Sequence, residues 1–192
     1  MNLPNKLSLS RIILIPFFIF FYLATFIPFG KIIAIVIFII AALTDMFDGK
    51  IARKYNLVTN LGKLLDPIAD KLLVTAGILL VITDYTIPQP YGVIVAFIII
   101  GRELLISAFR QIAASQNFVM AADMFGKIKA VTQDIALPML FLASYLKYNV
   151  ETPETILLIV EIVAWVTIGI ATILTVLSGA NYIIKNKQVL KG

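Results

Sequence analysis

Six long apolar stretches, joined by short punctuated connections, leave this chain little choice of solvent. They run roughly from 12 to 29, 32 to 54, 66 to 83, 91 to 113, 127 to 147 and 155 to 184. An α-helix needs about 20 apolar residues to cross the hydrocarbon core of a bilayer, and each stretch has about that length. Pro28 and Gly30, Asn60 and Gly62, Pro88 and Pro90, Asn117 and Gly126, and Pro153 mark the breaks. Composition agrees: 60% of the 192 residues are hydrophobic and 14% are charged, against about 45–50% and about 25% in soluble domains. The expected fold is all-α, a polytopic membrane protein built as a six-transmembrane-helix bundle. A single domain covers 1–192, with a short N-terminal interfacial segment ahead of the first span. That span lacks the small-residue cleavage site of a signal peptide and is expected to stay in the membrane.

Charge gives the bundle a direction. With both termini and the connections after spans two and four on one side, all sixteen cations except Lys31 and Lys147 fall on that side. The positive-inside rule makes it the cytoplasmic one. The expected location is the cell membrane, multi-pass, with both termini in the cytoplasm. The net charge of +5 then describes one basic membrane face, suited to anionic lipids or phosphorylated substrates. No hydrophilic domain exists to hold nucleic acid. The chain has neither cysteine nor histidine, which excludes disulfides, thiolate or imidazole metal sites and Ser–His–Asp chemistry. Any metal must be held by oxygen, which points to magnesium or manganese.

The stretch from Asp45 to Asp70, DMFDGKIARKYNLVTNLGKLLDPIAD, holds four carboxylates that a membrane helix should avoid. Each costs roughly 2.5–3.5 kcal/mol at the centre of a span and less near its ends. Asp45 and Asp48 are three apart and Asp66 and Asp70 four apart, so each pair shares a helix face. A short connection brings the two pairs to the same membrane surface. At about 5 Å and an effective dielectric of about 20, each pairwise repulsion is on the order of 3 kcal/mol. Protonation, basic neighbours or bound cations must relieve it, and with oxygen ligands a divalent site, of one ion or two, is the natural answer. The competing reading makes them ordinary interfacial charges, Asp48 paired with Lys50 or Arg53 and Asp70 with Lys71 or Lys63. At about 100° per residue, Asp45, Asp48, Gly49 and Ala52 fall within about 100° of one another, with Arg53 flanking. Carboxylates, small residues and an arginine on one face make a pocket wall, and Gly62 is placed in the loop that closes it.

These eight residues form the pattern D-x2-D-G-x2-A-R-x8-G-x3-D-x3-D, which resembles the signature of the CDP-alcohol phosphatidyltransferase family at every fixed position. The resemblance implies that Asp45, Asp48 and Asp66 bind a pair of divalent cations, Mg²⁺ or Mn²⁺, on the diphosphate of a CDP-linked lipid. Asp70 would ligate one metal and act as general base on the acceptor hydroxyl. Gly49, Ala52, Arg53 and Gly62 would shape the cytidine diphosphate site, and a homodimer is implied. The chemistry is coherent. Displacing CMP from a diphosphate needs charge neutralised on both phosphates, and a weakly nucleophilic alcohol needs a base that only an aspartate can supply here.

Three further segments resemble a branch of that family whose acceptor is sn-glycerol 3-phosphate. NLPNKLSLSRI carries Asn2, Pro4, Asn5 and Arg11, with Ser8 where threonine is more usual. GRELLISAFR carries Gly101, Arg102, Glu103 and Arg110; GKIKAVTQ carries Lys127, Lys129, Thr132 and Gln133, with Ala130 where threonine is expected. Asn5 and Ser8 are expected at the CDP-diacylglycerol site, on a segment that covers the nucleotide from the cytoplasmic side. A small dianion wants several fixed cations, and Arg110, Lys127, Lys129 and Arg102 are the candidates, Arg110 and Lys127 foremost. The same lysines also serve as plain topology determinants, and Arg102 could simply pair with Glu103 or Asp134. Trp165 is expected at the lipid or its interface, and Glu161 has no assigned partner. Another alcohol acceptor (an inositol phosphate or serine), a cation transporter built on the four aspartates, and a non-catalytic lipid-binding scaffold are the readings left standing beside this one.

Overall fold

A computed structural model describes residues 3–54, 59–115 and 124–187, with side chains described for all of these except 3, 4, 45–54, 60, 61, 63, 64, 114 and 115. Among the described residues the chain is all-helical: α1 Leu3–Leu23, α2 Gly30–Lys54, α3 Asn60–Thr83, α4 Tyr91–Ser115, α5 Met124–Tyr148 and α6 Glu154–Lys185. Helix α1 packs along α2 and α3, α5 along α6 and α2, and α4 docks on α6 and α3. The core lies where α1, α2 and α5 meet. Phe18, Phe38 and Phe141 stack there with ring centroids 5.3–5.6 Å apart, and Tyr22 adds its edge to Phe141 at 5.3 Å.

Outer faces are apolar: Phe17, Phe97, Leu104 and Ile173 are all exposed, Phe97 to 79%. Apolar surface on that scale belongs to a protein whose solvent is lipid. Three helices, Asn5–Leu23, Tyr91–Ala113 and Glu154–Lys185, are long and apolar enough to cross a membrane, and Gly30–Thr44 is a shorter apolar helix. The other two of the six expected spans exist as helices but carry charge in their first halves, Asp66, Asp70 and Lys71 in α3 and Lys127, Lys129 and Asp134 in α5.

Two expected boundaries are corrected. The N-terminal segment is not a separate interfacial piece: α1 is continuous from Leu3, through Pro16, and ends at Leu23 rather than near 29. Proline sits early at position 4, where a first helical turn lacks partners anyway, and no breaker follows before Pro16. The chain then turns tightly through 24–29, and Gly30 is needed there because a Cβ would lie 2.5 Å from the Phe21 carbonyl oxygen. At α3, Asn60 and Gly62 are not loop. Thr59 caps the helix by accepting from the Gly62 N–H at 3.0 Å, so the helix starts at Asn60.

The end of the bundle opposite Asp66 and Asp70 is tied by a polar latch. Lys31 Nζ bonds Asp84 Oδ2 and Ser144 Oγ, each at 2.7 Å, and lies 5.2 Å from the ring centres of both Tyr22 and Tyr148. Ser144 also donates to Asp84, and the Tyr148 hydroxyl to the Asp84 carbonyl at 3.1 Å. One lysine thus joins α1, α2, α3 and α5. Glu161 finds its partner in Lys147 at 3.3 Å. Trp165 is 41% exposed, as an interfacial residue should be, while its indole N–H donates to the Thr86 carbonyl at 3.0 Å.

Candidate active site

The cap of α3 is the first element of the site. Thr59 Oγ1, while accepting from Gly62, donates to Asn5 Oδ1 at 2.9 Å. Gly62 has to be glycine for α1 to come this close, since a Cβ would stand 2.7 Å from Asn5 Oδ1. One turn on, Ser8 donates to Asp66 Oδ1. Asn5, Ser8 and Arg11 follow one another at three-residue spacing and are all 4% exposed or less. The opening segment therefore packs its polar face inward against α3, which the mean hydropathy of that stretch gave no reason to expect. A Gly62→Ala variant pushes the buried Asn5 carboxamide off Thr59. Loss of about one hydrogen bond, ~1 kcal/mol, is expected to appear as a lowered Tm in detergent.

Asp66 and Asp70 are one turn apart on the same face of α3. Asp66 is half-buried against Ser8, whereas Asp70 is exposed to a cleft. That cleft holds about 120 Å³ and is lined by Asp70, Lys71 and Val74 from α3, Glu103 from α4, and Lys129, Ala130, Gln133 and Asp134 from α5. Lys129 is only 3% exposed, and its ammonium is ion-paired with Glu103. Arg102 reaches the same carboxylate at 3.5 Å and donates to Ser178 Oγ at 3.0 Å. The structure thus brings Asp70 and Lys129 to one cleft, with Arg102 behind Glu103.

Arg110 and Lys127 do not line that cleft. Arg110 is exposed at the end of α4, where Nε donates to the Tyr182 hydroxyl at 3.0 Å and the guanidinium lies 5.5 Å from the tyrosine ring centre. Lys127 is exposed on the first turn of α5. The side chains of Asp45, Asp48, Gly49, Ala52 and Arg53 lie outside the described residues; their backbone is the last turns of α2, helical through Lys54. Among the described residues no three carboxylates converge as a metal site.

Sequence reasoning missed the α6 side of the site. Thr175, Ser178, Gly179 and Tyr182 are all buried, and two of them hold Arg102 and Arg110. Their spacing of three, four and seven residues places them on one face, a hydroxyl-bearing stripe in an otherwise apolar helix, and that was the available signal. Gln133 was noticed only as part of a motif, yet it lines the cleft with its side chain buried.

A bundle of apolar helices with a charged cleft set beside paired carboxylates defines an integral-membrane protein with a polar reaction site. The chain belongs to the CDP-alcohol phosphatidyltransferase family, whose profile matches residues 1–177. It is 41% identical to the CDP-diacylglycerol–glycerol-3-phosphate 3-phosphatidyltransferase of Bacillus subtilis strain 168, over 99% of this chain and 97% of that protein. Proteins of the same name from Rickettsia bellii and Escherichia coli K12 are 36% and 42% identical, over 94% and 71% of this chain and 93% and 74% of their own lengths.

Proposed function

We propose that the chain transfers the phosphatidyl group of CDP-diacylglycerol to sn-glycerol 3-phosphate, giving phosphatidylglycerol phosphate and CMP. The names of its relatives support the reaction. The observation that carries the mechanism is the shared cleft, in which a carboxylate on α3 faces a buried, oriented lysine on α5. Asp70 takes the proton of the acceptor's primary hydroxyl as its oxygen bonds to the phosphatidyl phosphorus. The phosphorus–oxygen bond to CMP breaks, and CMP leaves with that electron pair. Lys129, held by Glu103, keeps two of its three N–H donors for the acceptor phosphate. Arg102, Arg110 and Lys127 add positive potential around the entrance.

Charge balance in the cleft fits bound cations. Its lining has two cations, Lys71 and Lys129, and three carboxylates, Asp70, Glu103 and Asp134, a poor host for a phosphate dianion unless some carboxylates are engaged. Every candidate donor is a hard oxygen, the type that magnesium and manganese take. Asp66 and Asp70, with Asp45 and Asp48 from α2, would hold two such ions, which when bound neutralise the diphosphate and the leaving CMP. Ser8 orients Asp66, and Asn5, Gly49, Ala52, Arg53 and Gly62 form the CDP-diacylglycerol site. The same reading makes the protein a multi-pass homodimer of the cell membrane, with six crossings and with the site and both termini cytoplasmic. The one-sided distribution of cations supports that orientation.

The test is CMP release by purified protein given CDP-diacylglycerol, with Mg²⁺ or Mn²⁺, with and without glycerol 3-phosphate. Release is expected only when both the metal and glycerol 3-phosphate are present. Release with another alcohol and none with glycerol 3-phosphate would replace the acceptor; no release from folded protein would overturn the reaction.

A further inference from the structure

Gln133 lines the cleft but is itself 1% exposed, and its Oε1 is buried without a hydrogen-bond partner. An unmade hydrogen bond at a buried acceptor costs about 10- to 100-fold in an equilibrium, so a site that keeps one is built for a donor that arrives. Its neighbours on the same face of α5 do not supply one. Lys129, one turn before it, turns its ammonium to Glu103 and makes no hydrogen bond to Oε1; Ala130 offers a methyl, and Ala136 and Leu137, one turn after it, are buried and apolar. Across the cleft Val74 is apolar, the Lys71 ammonium makes no hydrogen bond to Oε1, and Asp70, Glu103 and Asp134, when ionised, only accept.

Position says what the missing donor is. Gln133 stands four residues, about 6 Å of helical rise, beyond Lys129 and shares the cleft with Asp70. A small phosphorylated polyol with its phosphate at Lys129 presents its hydroxyls about one turn along α5. One of them meets Asp70 and is the nucleophile. We propose that Gln133 determines acceptor specificity, its Oε1 accepting a hydrogen bond from the acceptor hydroxyl that does not react, which in glycerol 3-phosphate is the one on C2. This assignment rests on the phosphatidyl-transfer reading above. It selects vicinal diol phosphates over phosphates that carry a single hydroxyl.

The experiment compares glycerol 3-phosphate with 3-hydroxypropyl phosphate, which keeps the primary hydroxyl and the phosphate at the same separation and lacks only the C2 hydroxyl. CMP release from CDP-diacylglycerol is the readout. In the unaltered protein, kcat/KM is expected to favour glycerol 3-phosphate by about 10- to 100-fold. Gln133→Met, close in size and apolar, is expected to bring the two acceptors within about three-fold, through loss on glycerol 3-phosphate alone. Gln133→Glu keeps the oxygen and is expected to keep the preference. A merely structural role would lower both acceptors together and leave their ratio unchanged, and that result overturns the proposal. Equal use of the two acceptors by the unaltered protein, as when a water fills the bond to Oε1, overturns it without any variant. No CMP release with either acceptor would instead overturn the phosphatidyl-transfer reading itself.

Discussion

Asp70→Asn is expected to slow CMP release by about 10²- to 10⁴-fold, the usual contribution of a positioned general base, while CDP-diacylglycerol still binds. Asp70 and Asp66 sit one turn apart on α3, yet their surroundings divide the work between them. Asp66 is half-buried and takes the Ser8 hydroxyl, so it is held in place by α1. Asp70 lines the cleft that Lys129 also lines. Asparagine keeps the size and one oxygen but cannot take the proton of an alcohol. Asp66→Asn should therefore behave differently, weakening retention of CDP-diacylglycerol together with turnover. Turnover by Asp70→Asn at the unaltered rate would remove Asp70 from the chemistry.

The second large effect concerns Glu103. Lys129 is 3% exposed and its ammonium depends on that carboxylate. Glu103→Leu leaves a buried cation without compensation, which typically costs about 3–5 kcal/mol. A clear fall in Tm in detergent is the expected result, with a raised KM for glycerol 3-phosphate in whatever protein remains folded. The double variant Glu103→Leu/Lys129→Met removes both charges and should recover most of the Tm, because two apolar side chains of similar volume pack where the ion pair was. It should not recover the KM. Full recovery of both would reduce the pair to a structural element, and a single variant as stable as the unaltered protein would show that the buried Lys129 ammonium does not depend on Glu103.

Much of the architecture was readable from the chain because membrane helices advertise themselves through length and apolar content. Helices α2, α4 and α6 begin and end within a few residues of where the apolar stretches do. The errors came where local signals compete. Asn60 and Gly62 look like a turn, but Thr59 supplies a cap and the glycine is small for the sake of Asn5, on another helix. Lys31, which the sequence places apart from most cations without a partner, is the centre of the Asp84–Ser144–Tyr148 latch. The approach of Asn5 to Gly62 and the bonds of Lys31 to Asp84 and Ser144 cannot be read from neighbours in sequence, since those partners lie more than 50 residues away.

Sequence alone determined the membrane as solvent, the helical class, the absence of any thiolate or imidazole ligand, and the carboxylate spacing that identifies the family. Those are properties of composition and of short-range periodicity, which a helix preserves whatever it packs against. Only the tertiary structure decided that Lys129 rather than Arg110 or Lys127 shares the cleft with Asp70, that Glu103 holds that lysine, and that Ser178 and Tyr182 of α6 hold the two arginines. It also showed that Gln133 is buried with its oxygen unpaired. Which of several basic residues meets a given carboxylate depends on how α3, α4, α5 and α6 rotate and slide against one another. Packing sets that rotation through contacts between residues far apart in the chain, and no local pattern encodes it.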